Sequence, residues 1–91
     1  MLRILVTNNF KKDIKKLQKA GGYNFAEFDI VISSLLDQQT LPPKYKNHRL
    51  LGRHSGYFDC HIKDNWVLIY KIEGEALILA RTGTHAEVLG L

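Results

Sequence analysis

The stretch from Gly56 to Arg81 leaves little choice of architecture. Gly56-Tyr57-Phe58-Asp59-Cys60-His61-Ile62 alternates, with Phe58, Cys60 and Ile62 on one face and Tyr57, Asp59 and His61 on the other. That period of two marks a half-buried strand. Lys63-Asp64-Asn65 is a turn, and Trp66 to Ile72 is apolar on both faces, as a central strand should be. Glu73-Gly74-Glu75 turns the chain again, and Ala76 to Arg81 makes the last strand. The apolar face of such a sheet needs a cover.

The first half of the chain supplies it. Leu2 to Thr7 reads as a strand. Asn8 or Asn9 can cap a helix, because the side-chain oxygen accepts from an orphan N–H. Phe10, Ile14 and Leu17 form a narrow apolar stripe, Lys11, Lys12, Lys15, Lys16 and Lys19 cover the other faces, and Gly21-Gly22 stops the helix. A second helix starts after Asn24, carries Phe25, Phe28, Val31, Ile32, Leu35 and Leu36 at helical spacing, and is ended by Leu41-Pro42-Pro43. The order β-α-α-β-β-β predicts an α+β fold: a helical hairpin on one face of a mainly antiparallel, four-stranded sheet. With 91 residues and no linker, the chain reads as a single domain, 1–91.

Composition narrows the function classes. The lone Cys60 excludes an internal disulfide framework and suits a reducing cytosol. The opening apolar run is too short for a secretory leader, and no stretch approaches the roughly 18 apolar residues of a membrane span. A cytoplasmic location is therefore the expectation. The net charge of +4 draws the domain towards polyanions such as nucleic acid.

The histidine pattern suggests what it does there. His61 lies on the strand face opposite Phe58, Cys60 and Ile62, beside Tyr57 and Asp59. Arg81 ends a neighbouring strand, a Thr-Gly-Thr turn brings His85 back towards it, and His48 sits in the basic loop from Leu41 to Ser55. RNA can be cleaved by its own 2′-hydroxyl if the protein removes that proton, stabilises the phosphorane and protonates the departing 5′-oxygen. Histidine suits both proton steps, its pKa being about 6.5. Arginine's fork matches two phosphate oxygens. Plainer roles fit too: His48 bonded to a backbone carbonyl, His54 solvated, Arg81 paired with Glu75 or Glu87, Trp66 packed in the core. Adjacent Cys60 and His61 face opposite sides, and no His-x₃-His or Cys-x₂-Cys pairing exists. No metal or other cofactor is expected.

In order and spacing, "LPPKYKNHRLLG", "GYFDCHIKDNWVLIYKI" and "RTGTHAEVLG" resemble the YafQ branch of the RelE/ParE toxin superfamily, over nearly the whole chain. The resemblance implies a microbial-RNase-like sheet with two helices. It also implies the toxin half of a type II toxin–antitoxin pair, a ribosome-dependent endoribonuclease that cuts mRNA by metal-independent transesterification and so inhibits translation. Its catalytic positions fall on His48, His61, Arg81 and His85. Supporting positions fall on Asp64, Asn65, Trp66 and Leu89. Asn65 stands where the family has an acid, Phe58 where it has arginine, His54 where it has tryptophan and Leu89 where it has phenylalanine. The implied partners are mRNA on the ribosome, ribosomal RNA and a cognate acidic antitoxin. Lys11, Lys12, Lys15, Lys16, Lys44, Lys46, Arg49 and Arg53 are the expected contacts to RNA phosphates. The alternative is a weakened toxin homologue or a ribosome-binding module that does not cleave.

Overall fold

The computed structural model describes residues 2–89, and at Arg53 the backbone alone. The contact expected of the Arg53 side chain lies outside what is described. β1 (Arg3–Val6) leads into α1 (Asn8–Ala20) and α2 (Phe25–Leu36). After a loop, β2 (His48–Arg49), β3 (Phe58–Lys63), β4 (Trp66–Glu73) and β5 (Ala76–Thr84) follow, and α3 (His85–Leu89) ends the described chain. The sheet runs β1-β5-β4-β3-β2, with β1 parallel to β5 and all other pairs antiparallel. β4, apolar on both faces, is central as its sequence predicts.

Both helices cover the face that the alternation of β3 selects. Cys60 and Ile62 are buried with Phe10, Leu17, Val31, Ile32 and Leu35, and Ile14, Phe28 and Phe58 pack against them. Leu68 and Leu77 beneath have no exposed surface. Burying each such side chain contributes about 1.5–3 kcal/mol relative to leaving it in water.

The structure corrects the sequence reading in four places. The sheet has five strands, because the two residues of β2 pair with β3 at the open edge. The cap of α1 is Thr7 and not Asn8 or Asn9: its Oγ1 accepts from the N–H of Phe10 at 3.0 Å and donates to the carbonyl of Ala80 at 2.7 Å. α2 stops at Leu36, well before Pro42, as Gln38 turns left-handed at φ 55°. The last strand does not end at Arg81 in a turn; it continues to Thr84, and α3 then folds back over the face opposite α1 and α2, where Val88 packs on Val67 and Ile69.

Candidate active site

On that second face the strands line up one row of side chains. His48 pairs with Asp59, Asp59 with Ile69 and Ile69 with Arg81. Directly paired residues of antiparallel strands point to the same side. The next row holds His61, Val67 and Gly83. Two strand spacings separate Asp59 from Arg81, about 10 Å between Cα atoms.

Arg81 owes its place in the row to a bulge. Leu77 and Leu79 face the helix-side core, so strict alternation would send Arg81 there as well. The register instead steps from Tyr70–Leu79 to Ile69–Arg81, leaving Ala80 as an extra residue. The parity of β5 reverses at that point. The Ala80 carbonyl accepts from Thr7, so the cap of α1 also holds the bulge.

Asp59 is the hub. Its side chain is fully buried; Oδ2 lies 3.2 Å from His85 Nε2 and 3.6 Å from His48 Nε2. Oδ1 has no hydrogen-bond partner among the described residues. With the Asp59 carboxylate accepting, His85 donates from Nε2, and its Nδ1 has no hydrogen-bond partner among the described residues. The His61 ring meets the His85 ring edge-on, centroids 4.8 Å apart. His48 donates from Nδ1 to the carbonyl of Lys46 at 3.0 Å, the backbone bond that suits a loop histidine, while its Nε2 faces Asp59.

Gly83 explains the glycine in "RTGTH". Its φ is +148°, and a Cβ there would meet Glu87 Oε1 at 3.3 Å and Val88 Cγ1 at 3.4 Å. Without a side chain, α3 can fold tightly over β5 and carry His85 to Asp59. Glu87 fastens this fold-back: Lys16 of α1 donates to it, as do the N–H and hydroxyl of Thr84. Those bonds, that of Lys16 foremost, hold its carboxyl down to about 2.

The other expected residues are placed less directly. Arg81 pairs with neither Glu75 nor Glu87: its Nε donates to Asp13 Oδ2 at 2.7 Å and its Nη2 to Oδ1 at 3.1 Å. Trp66 is buried on the helix side against Tyr23, Phe25 and Phe28, with Nε1 donating to Thr82 Oγ1 at 2.8 Å. This is the core-packing role that the sequence also allows for Trp66. Asp64 and Asn65 form the exposed β3–β4 turn and line a shallow cleft with Tyr23, Asn24 and Lys63. Leu89 packs beside Val67 and Ile69. Lys11, Lys12, Lys15, Lys44, Lys46 and Arg49 are exposed, and Lys16 is exposed but paired with Glu87.

The ligating atoms of Asp59, His61 and His85 all lie within 4.8 Å of one another, so this cluster could hold a metal ion. Local spacing gives no hint of it, because His85 reaches the strand pair Asp59 and His61 from the far end of the chain. Cys60 is unavailable: burial and the neighbouring Asp59 push its thiol up to about 12, so it stays protonated on the other face.

The family described as "Bacterial toxin of type II toxin-antitoxin system, YafQ" matches residues 2–90. The chain belongs to the YafQ toxin family. The mRNA interferase toxin YafQ of Escherichia coli K12 is 35% identical over 85 residues, covering 92% of this chain and 91% of that protein. YafQ in the crystal structure of the E. coli DinJ-YafQ complex superposes with a TM-score of 0.87 at 34% identity, over 99% of this chain and 100% of that one. A copper-bound mutant toxin from Helicobacter pylori has a TM-score of 0.93 at 33% identity, over 97% and 99%. In this YafQ toxin the fold groups His48, His61 and His85 at one buried carboxylate, Asp59. Asp59 and Asp13 escape a reading of the sequence. The signal for Asp59 is its place between Tyr57 and His61 on the polar side of β3. For Asp13 it is an acid one turn after Phe10 in a run of lysines.

No helix among the described residues is long and apolar enough to cross a membrane.

Proposed function

We propose that the chain is a ribosome-dependent endoribonuclease that cuts mRNA by metal-independent transesterification, restrained by an acidic antitoxin. The observation that carries this reading is the gathering of His48, His61 and His85 about buried Asp59, with Arg81 in the same cross-strand row. His61 and His85 divide the base and acid steps, imidazole being the side chain type best suited to proton transfer. Asp59 sets the ring orientation of His85 and leaves Nδ1 to work. Arg81 contacts the scissile phosphate and stabilises the charge that builds on the phosphorane. His48 assists proton transfer or holds a neighbouring phosphate. The exposed lysines of α1 and of the 44–53 loop dock on ribosomal RNA in a salt-sensitive way. A site with so few groups leaves substrate alignment to the ribosome. The E. coli relative seen with DinJ supports an antitoxin partner here, and the net charge of +4 suits an acidic one.

The test is cleavage of mRNA on programmed ribosomes, with magnesium kept for ribosome integrity. The product should end in a 2′,3′-cyclic phosphate, and a 2′-deoxy nucleotide at the scissile position should abolish the cut. A 5′-phosphate product, or cutting that survives 2′-deoxy substitution, overturns the mechanism. Binding to ribosomes without cutting favours the non-cleaving alternative, which the amide Asn65 at a family acid position keeps in view.

Metal should inhibit. A copper(II) ion on Asp59, His61 and His85 would break the His85–Asp59 hydrogen bond and tie both imidazoles to the ion, away from proton transfer. Cleavage is expected to persist when transition metals are chelated and to fall as copper is titrated in, recovering on chelation. Activation by the ion would show that the imidazoles act as ligands in catalysis.

A further inference from the structure

α1 carries a single acid among its lysines, Asp13, and the fold gives that acid an uncommon position. β1 pairs with β5 only as far as Val6 and Leu79. Beyond that point α1 runs along the bared edge of β5, and Asp13 Oδ2 accepts the N–H of Thr82 at 3.1 Å, a bond a longer β1 could have taken. The same carboxylate receives Arg81: Nε at 2.7 Å and Nη2 at 3.1 Å. Asp13 is largely buried, with 13% of its side chain exposed, while the Arg81 side chain keeps 34%.

A guanidinium has two edges that can hold an acceptor pair. The side edge, Nε with Nη2, is committed to Asp13. The end edge, one N–H from each terminal nitrogen, has no hydrogen-bond partner among the described residues. It matches the two non-bridging oxygens of a phosphodiester. We propose that Asp13 is a positioning residue for RNA cleavage: it clamps the side edge of Arg81 so that the end edge meets the scissile phosphate. This rests on the reading that Arg81 contacts that phosphate. A long side chain on a strand would otherwise sample many rotamers, and the clamp removes that disorder before substrate arrives. Asp13 also places a negative charge near a polyanion, which opposes binding. Its benefit must therefore appear in the transition state and not in affinity.

That division gives the test. Steady-state cleavage on programmed ribosomes is measured for the wild type, Asp13→Ala, Asp13→Asn, Asp13→Glu and Arg81→Ala, with thermal unfolding of each. Asp13→Ala is expected to lower kcat by about 10–10²-fold, less than removing the arginine itself. KM should stay level or fall, since an anion has been removed. Asp13→Asn, the same shape with no charge, should lie between, and Asp13→Glu should recover part of the loss. Asp13→Asn added to Arg81→Ala should slow cleavage no further, because the aspartate acts through the arginine. If Arg81→Ala is slow but folded Asp13→Asn and Asp13→Ala keep wild-type kcat, the clamp is a structural strut and the proposal is overturned. Should Asp13→Ala fail to fold, Asp13→Asn carries that decision. A rise in KM with kcat unchanged overturns it equally. If Arg81→Ala itself cleaves at the wild-type rate, the reading of Arg81 fails first.

Discussion

Replacing His85 or Arg81 by alanine is expected to abolish growth arrest when the protein is expressed without an antitoxin, with the fold retained. His85 is part-exposed on a short terminal helix, and the alanine removes its hydrogen bond to Asp59. Losing an oriented proton donor or acceptor costs about 10²–10⁴-fold in rate. Losing transition-state charge stabilisation at Arg81 costs on the order of 10²–10³-fold. Both serve one transition state, so the double variant should be less impaired than the product of the singles. Arg81→Lys should rescue little. An ammonium cannot bridge both Asp13 and a phosphate as a fork does, and Asp13 would hold it away from the substrate. Cleavage on programmed ribosomes and the melting temperature decide the matter together. Folded variants that still cut at the wild-type rate would leave "RTGTH" as a strand end and helix start with no part in chemistry.

Asp59→Asn is expected to pull activity and stability in opposite directions. Burying a carboxylate with one oxygen lacking a partner costs free energy, about 1–3 kcal/mol for an unsatisfied buried group. The amide has the same shape and no charge. For a domain of this size, each 1 kcal/mol regained raises the melting temperature by roughly 4–8 °C. Cleavage should nonetheless fall by about 10²–10⁴-fold, because an amide can present its NH₂ to His85 and reverse the tautomer that leaves Nδ1 free. A site that sacrifices stability for chemistry behaves this way. Unchanged cleavage in a folded Asp59→Asn variant would remove Asp59 from the mechanism, and a lower melting temperature would show that the carboxylate is well satisfied where it lies.

The chain states much of this locally. The alternation of Phe58, Cys60 and Ile62 against Asp59 and His61 selects the face under the helices, and the stripes of Phe10, Ile14 and Leu17 and of Phe28, Val31, Ile32 and Leu35 select what covers it. The double-sided apolar run from Trp66 marks the central strand. These signals are legible because each depends on the turn of one helix or the pleat of one strand. "NH", "CH" and "RTGTH" likewise carry the candidate residues in plain view, through resemblance more than through chemistry.

What no local pattern states is who meets whom. The extra residue at Ala80 is visible only once β5 is paired with β4, and it alone moves Arg81 from the helix side to the histidine face. His48 joins Asp59 because two residues of a loop add a strand at the sheet edge. His85 reaches Asp59 because α3 folds over Gly83, and Asp13 reaches Arg81 because β1 stops short and α1 takes over its edge. Register, bulges and edge pairings are set by energies between segments far apart in the chain. The sequence by itself therefore determined the layers, the covered face and the residue types of the site. The tertiary structure decided their grouping about Asp59 and the clamp on Arg81, because hydrogen-bond partners are chosen in space and not along the chain.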